Sequence, residues 1–124
     1  MVEAMEMADL MFGIDPTEVV SGKARGADAL GEMWAIANGV RVKAFPAKWR
    51  DADGTYYPRA GMNRNSDMAG YADALVAVWD GQSSGTADMI KKARKRGLLV
   101  WVQDFKYPAY SSISGQIVTR LYRP

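Results

Sequence analysis

The sequence predicts an α/β fold, and three observations carry that expectation. Strand-length apolar runs alternate with stretches of helical periodicity along the chain. Two of the runs, ALVAVW at 74–79 and LLVWV at 98–102, are continuously apolar, as in strands covered on both faces. Glycine-rich turns lead from two of the strands into the following helices. Together they describe a doubly wound, Rossmann-like, mostly parallel sheet.

Residues 1–12 read as a helix, with Met1, Met5, Ala8 and Phe12 on one face, Glu3, Glu6 and Asp9 on another, and Gly13 as its stop. Residues 17–21 (TEVVS) form a short strand. Residues 26–37 form a second helix, with Ala27, Leu30, Trp34 and Ala37 at helical spacing and Asn38-Gly39 ending it. A strand over 40–45 is closed by Pro46. Residues 47–61 are loop-like, and loops of that length are uncommon unless functional; with Tyr56, Tyr57 and Arg59 this one is a candidate lid. A third helix covers 63–71, a strand 74–79, and a fourth helix 86–96 with Met89, Ile90 and Ala93 inward and Gly97 as stop. The strand 98–102 follows, and GQIVTRLY at 115–122 is again strand-like.

Composition narrows the function. The chain has 124 residues, 48% apolar and 24% charged, which fits one domain over 1–124 that buries roughly two-thirds of its unfolded surface. It has no cysteine and no histidine. That removes disulfides, thiol nucleophiles and Ser-His mechanisms, and argues against zinc, haem and iron–sulfur sites; no metal and no cofactor is expected. No apolar stretch approaches the ~18 residues of a membrane span and no signal region opens the chain, so a soluble, cytoplasmic protein without a membrane partner is expected. With 16 basic and 14 acidic residues, bulk charge gives no argument for nucleic acid. The basic cluster Lys91, Lys92, Arg94, Lys95 and Arg96 falls in the last turns of a helix, where cations complement the dipole on a solvated face.

Ligands of such sheets sit at the carboxyl ends of the strands. There the first strand runs into Ser21-Gly22-Lys23-Ala24-Arg25-Gly26-Ala27-Asp28. Glycines let a ligand approach the backbone, free N–H groups at a helix start attract an anion, and Lys23 and Arg25 add charge. A tight strand-to-helix turn with solvated basic residues explains the same segment equally well. The third strand runs into Asp80-Gly81-Gln82-Ser83-Ser84-Gly85-Thr86-Ala87-Asp88, where Ser84 or Thr86 is the candidate N-cap. Two such turns at one sheet edge say more than either alone. Arg64 and Asn65 lie on the third helix, where an arginine near the start can reach over the strand ends to a phosphate or ribose, although spacing alone favours a surface arginine. Trp49 and Trp79 stand just past strands as candidate stacking surfaces, although partly buried packing is the commoner fate of such residues.

The segments SGKARGADALGEMWA, NRNSDM, YADALVAVWDG and SGT followed by KKARKRG resemble the SLOG superfamily, in its branch with an SGGARGAD-type loop. The resemblance covers about 17–102 and implies a Rossmann-like fold that binds a nucleotide or nucleotide-derived ligand. In related phosphoribohydrolases of the LONELY GUY type, a helix motif Met-x-x-Arg-Lys-x-x-Met precedes Pro-Gly-Gly-x-Gly-Thr-x-x-Glu. Arg64 matches the catalytic arginine and Met68 the closing methionine, whereas Asn65 stands in place of lysine and Trp79-Asp80-Gly81 in place of Pro-Gly-Gly. Met89 occupies the position of the catalytic glutamate, with Asp88 one residue away and shorter. The resemblance thus favours binding over hydrolysis, through Ser21, Gly22, Lys23, Arg25, Gly26, Arg64, Asn65, Trp79, Gly81, Ser84, Gly85 and Thr86. Arg64 and Asp88 are the only plausible catalytic pair if the protein is an enzyme.

Relatives open with a strand before the first helix, in the middle of the sheet, and here that strand is lacking. The tail strand at 115–122 is the candidate replacement, inserted in its own subunit or swapped into a partner, with Arg120 or Arg123 standing in for a lost arginine. Pairing at an outer edge is the alternative.

The expected function is therefore a sensor of a nucleotide-derived small molecule, or a protein that sequesters one, as a virus would use against a bacterial defence. The alternatives are an N-glycosidic hydrolase acting on nucleoside 5′-monophosphates, and a single-stranded DNA binder needing a continuous track of Lys23, Arg25, Lys91, Lys92, Arg94 and Lys95. A structural or assembly role without a small ligand is a further alternative. A homo-oligomer is expected, and nucleic acid is not the favoured partner.

Overall fold

The computed structural model describes residues 2–24, 26, 28–104 and 115–122. Its elements in chain order are α1 (Val2–Phe12), β1 (Pro16–Ser21), α2 (Ala29–Ala37), β2 (Arg41–Ala44), α3 (Ala60–Tyr71), β3 (Ala74–Trp79), α4 (Ser84–Lys95), β4 (Leu99–Asp104) and β5 (Gly115–Leu121). The protein is an α/β structure built on an open, mixed five-stranded sheet in the order β2-β1-β5-β3-β4. β1 pairs with β2, and β3 with β4, in parallel. β5 runs antiparallel to both of its neighbours, so the other four strands share one direction.

The tail strand therefore occupies the centre of the sheet, within its own chain. Its register sets Gly115 against Val78 and Thr119 against Ala74 on one side, and Val118 against Val20 and Arg120 against Glu18 on the other. Alternation explains why GQIVTRL fits the slot. Ile117 packs among Ala4, Met5, Ala8, Val19, Ala35, Val76 and Val78 beneath α1 and α2. Val118 packs on the opposite face among Val20, Met68, Leu75, Met89 and Ala93, beneath α3 and α4. Without β5, the facing edges of β1 and β3 would present unpaired N–H and C=O groups inside the protein.

Two glycines let α2 lie close on β5. A Cβ on Gly31 would stand 2.5 Å from the Gln116 carbonyl oxygen, and one on Gly115 would stand 2.3 Å from Leu30 Cδ1. This shifts the buried seam of α2 from the predicted Ala27, Leu30, Trp34 and Ala37. Gly31 and Ala35 are buried, Leu30 and Trp34 are half-buried, Ala37 is exposed, and Ala27 lies outside the described residues. Gly31 and Ala35 are the fully buried positions because the helix approaches so closely, and Leu30 fits against β5 only where Gly115 leaves room for it. On α1, Ala4, Met5 and Ala8 are buried; Met1 lies outside the described residues.

Three further expectations are corrected. The run 98–102 is apolar but not covered on both faces: β4 is an edge strand, with Leu99 exposed and Val100, Trp101 and Val102 half-buried. Apolar composition alone does not separate an edge strand from a central one. The third helix starts at Ala60 rather than residue 63, which adds Gly61 and Met62 to it. Residues 47–59 are less irregular than the sequence suggests. Arg50 and Tyr56 form an antiparallel bridge, Tyr57 N–H donates to the Trp49 carbonyl at 2.7 Å, and Asp51 and Asp53 accept from Thr55 N–H at the turn.

The core gives a direct test of this packing. Leu75 and Met68 are fully buried in one cluster. Leu75→Ala is expected to lower unfolding stability by about 2–5 kcal/mol in urea titrations. Substitution of exposed Ile36 by serine should change it by less than about 0.5 kcal/mol.

Among the described residues, no helix is long and apolar enough to cross a membrane.

Candidate functional site

The carboxyl ends of β1, β2, β3 and β4 and the amino end of β5 meet at one edge of the sheet. Arg64 reaches this edge from α3. Its Nη1 donates to the Gly22 carbonyl oxygen at 2.6 Å, and its Nε donates to Asn65 Oδ1 at 3.1 Å. Gly22 has to be glycine for this arrangement, because a Cβ there would stand 2.5 Å from Arg64 Cδ and 2.7 Å from Nε. The strand-to-helix turn thus acts as a saddle that holds the guanidinium in place.

Two of the amides in this turn are taken by the chain's own side chains. Ala24 N–H donates to Asp28 Oδ2 at 3.1 Å, and Lys23 N–H donates to Ser21 Oγ at 3.1 Å. Asp28 is 3% exposed and also accepts from Gln116 Nε2 at 3.2 Å. Burial raises its carboxyl above the usual aspartate value, opposed by the Ala24 amide, Gln116, the Gly22 backbone and the Arg64 charge. The carboxylate is in effect an internal anion bound by the loop. Asp28 had no role in the sequence-based expectation. The available signal was an acidic residue just before a helix that also follows a glycine-rich turn.

The sign of the resulting pH dependence follows from linkage. An aspartate with a raised folded-state pKa binds more protons folded than unfolded, so it lowers stability as pH rises from 3.8 through the folded value. Asp28→Asn removes that penalty and keeps the Ala24 contact. Its new amide N–H can donate to Gln116 Oε1, a buried oxygen without a partner among the described residues. The variant is expected to melt at or above wild type at pH 7, with the difference shrinking toward pH 4. A variant uniformly less stable across that range would contradict this account.

Two cavities flank Arg64. One, of about 400 Å³, is lined by residues that include Trp49, Met62, Arg64, Asn65, Ser84, Gly85 and Asp88. The other, of about 650 Å³, is bounded by the end of β2, the 46–57 segment and α3. At the first, the amino end of α4 is open: its N-cap is Ser83, with no side-chain capping bond. Neither Ser84 nor Thr86 caps the helix, because α4 starts earlier than predicted and Asp80 Oδ1 instead accepts from the Gln82 and Ser83 amides, both at 2.8 Å. Orphan N–H groups of the first turn, strengthened by the helix dipole, therefore stand beside the cavity.

Asp88 lies one turn along α4. Its Oδ2 accepts from Asn65 Nδ2 at 2.9 Å and from Lys92 Nζ at 2.8 Å, and Lys92 Nζ also donates to the Met62 carbonyl at 2.6 Å. Arg64, Asn65, Asp88 and Lys92 thus form one continuous polar chain across α3 and α4. Lys92 was assigned in the sequence to the solvated basic face. It lies i+4 from Asp88, a spacing already contained in the predicted helix, and on the half-buried side of α4, which only the packing against α3 reveals.

Gly22, Arg64, Asn65, Ser84, Gly85 and Asp88 are brought together here. Lys23 is turned outward onto Glu32. Ser21 is buried, and Thr86 is buried within α4. Gly26 and Gly81 are exposed turn residues. Trp79 is half-buried against the core, and its Nε1 donates to the Ser83 carbonyl at 3.0 Å, so it braces the turn. Arg25 and Arg123 lie outside the described residues. Arg120 is at the opposite edge of the sheet, over the Tyr71 ring and 3.8 Å from Asp73, and cannot replace an arginine at the site. Trp49, which is exposed, stacks with Tyr56 at 6.2 Å and lines the smaller cavity.

No family model, no curated protein and no solved structure matches the chain.

Proposed function

We propose that the protein binds a nucleotide or nucleotide-derived ligand at this edge, as a sensor or a sequestering protein, on a doubly wound Rossmann-like sheet whose central strand is supplied by the tail. The observation that carries the reading is the smaller cavity, where Arg64 and the uncapped start of α4 border the same space. Arg64 and the Ser84 and Gly85 amides take the phosphate. Asp88 accepts from sugar hydroxyls, and Trp49 offers a flat surface to a base.

Binding is favoured over N-glycosidic hydrolysis by the state of Asp88. A general acid must deliver a proton to the leaving group. Asp88 Oδ2 instead already accepts from both Lys92 Nζ and Asn65 Nδ2, which ties it to the two helices rather than leaving it directed at a leaving group. The ion pairs among the described residues favour a small ligand over the DNA-binding alternative. Lys23 is paired with Glu32, Lys92 with Asp88, and Lys95 lies at the far end of a 12-residue helix, ~18 Å from its start.

Native mass spectrometry of the purified protein with a panel of nucleoside monophosphates and their derivatives tests the reading and counts subunits at once. Retention of a phosphate-bearing nucleoside without release of free base is the expected result. Released base would make the protein a hydrolase. No retention across the panel would end the nucleotide reading.

A further inference from the structure

We propose that Gln116, on the tail strand, is a positioning residue for Arg64: its amide fixes the turn whose Gly22 carbonyl holds the guanidinium, and so links the centre of the sheet to the candidate ligand site. The inference rests on the nucleotide reading above and adds to it a residue that lines neither cavity.

Three contacts make the link. Gln116 Nε2 donates to Asp28 Oδ1 at 3.2 Å, Asp28 Oδ2 accepts from Ala24 N–H at 3.1 Å, and the Gly22 carbonyl accepts from Arg64 Nη1 at 2.6 Å. Gln116 and Asp28 are both buried, so water does not compete for their contact. Between Gly22 and Ala24 stands Lys23, with φ of 58°, the only non-glycine residue in the left-handed region among the described residues. That conformation is disfavoured for a lysine and persists where surrounding contacts fix it. Here they are the Ser21 hydroxyl on the Lys23 amide and the Asp28 carboxylate on the Ala24 amide. Loosening Asp28 therefore frees the turn to relax, and the Gly22 carbonyl moves with it.

The chemistry of Gln116 fits this role better than a packing role. Its Oε1 is buried and has no hydrogen-bond partner among the described residues. An orphaned amide oxygen costs stability, and an apolar side chain of similar size would avoid that cost. What the amide adds is an N–H that holds the carboxylate without cancelling its charge. The Asp28 charge is left in place to attract Arg64, whose own charge favours the ionised carboxylate.

The test compares wild type with Gln116→Met, which keeps the bulk and removes the N–H, and with Thr119→Val, a likewise buried change on the same strand. Each is titrated calorimetrically with AMP. The Arg64 Nε–H signal, assigned through Arg64→Lys, is followed in proton–nitrogen correlation spectra of the unliganded proteins, and melting temperatures confirm folding. Gln116→Met is expected to weaken AMP binding by about fivefold or more, within the range of coupling for residues of one hydrogen-bond network, and to move the Arg64 signal toward that of a solvent-exposed arginine. Thr119→Val should leave both where they are. The exchanged pair, Gln116→Glu with Asp28→Asn, reverses donor and acceptor and should return both toward wild type. An unmoved Arg64 signal in Gln116→Met, or equal losses from Gln116→Met and Thr119→Val, overturns the positioning role and leaves the nucleotide site standing. If wild type binds no AMP, the nucleotide reading loses its simplest ligand, and the Arg64 signal alone decides the role of Gln116.

Discussion

Deleting residues 115–124 is expected to abolish cooperative folding. The segment contributes Ile117 and Val118, both fully buried, one to each face of the core. Burying side chains of that size stabilises by about 1.5–3 kcal/mol each. Removal also leaves the inner edges of β1 and β3 without partners, with a further penalty of about 1–3 kcal/mol for every buried group left unsatisfied. The ties at the far end disappear as well: Leu121 N–H to Asp73 Oδ2 at 2.9 Å, and Asp73 N–H to the Thr119 carbonyl at 2.8 Å. Against a total of about 5–15 kcal/mol for an ordinary domain, these losses are decisive. The truncated chain should show no sigmoidal urea transition, and a cooperative transition near the wild-type midpoint would refute the central placement of β5.

Because a truncation is drastic, a finer comparison accompanies it. Gly31→Ala places a Cβ 2.5 Å from a backbone oxygen of β5, which cannot swing aside. The expected loss is about 1–3 kcal/mol from overpacking, despite the gain of up to about 1 kcal/mol that alanine brings to a helix. Gly85→Ala on α4 meets nothing within 4 Å and should be neutral or slightly stabilising. A chain in which β5 paired at an outer edge would respond similarly to the two.

Arg64→Ala is expected to weaken nucleotide binding by roughly 10-fold to 100-fold, in line with about 1.5–3 kcal/mol for a hydrogen bond to a charged group. Arg64→Lys keeps the charge but lacks the planar fork, and should fall in between. Gly22→Ala separates position from charge. The new methyl group would collide with Arg64 Cδ and Nε, a flexible stem that can move. The variant should therefore remain folded, with a loss of no more than about 1–3 kcal/mol from crowding at a buried position, while affinity drops toward that of Arg64→Ala. If Gly22→Ala bound as tightly as wild type, the turn would be a saddle for nothing.

Much of the layout was legible in the residues. Helical spacing in α4 placed Met89, Ile90 and Ala93 inward, as observed, because a strongly amphipathic helix has one way to face a sheet. The run 74–79 was readable as a strand covered on both faces because every position in it is apolar. Pattern GQIVTRL announced a strand with two usable faces, but two placements remained open for it, since a strand's sequence records what packs above and below rather than which edges it joins.

The chain by itself determined the alternation of strands and helices, the glycine-bearing turns, and the arginine near the start of α3. Only the tertiary structure decided that β5 fills the middle of the sheet, that Gln116 closes on Asp28, and that Asn65 and the Met62 carbonyl of α3 meet Asp88 and Lys92 of α4. Each of those facts joins groups far apart along the chain. Local periodicity reports the environment of a side chain, whereas the identity of its partner is fixed only when distant backbone segments satisfy one another's hydrogen bonds.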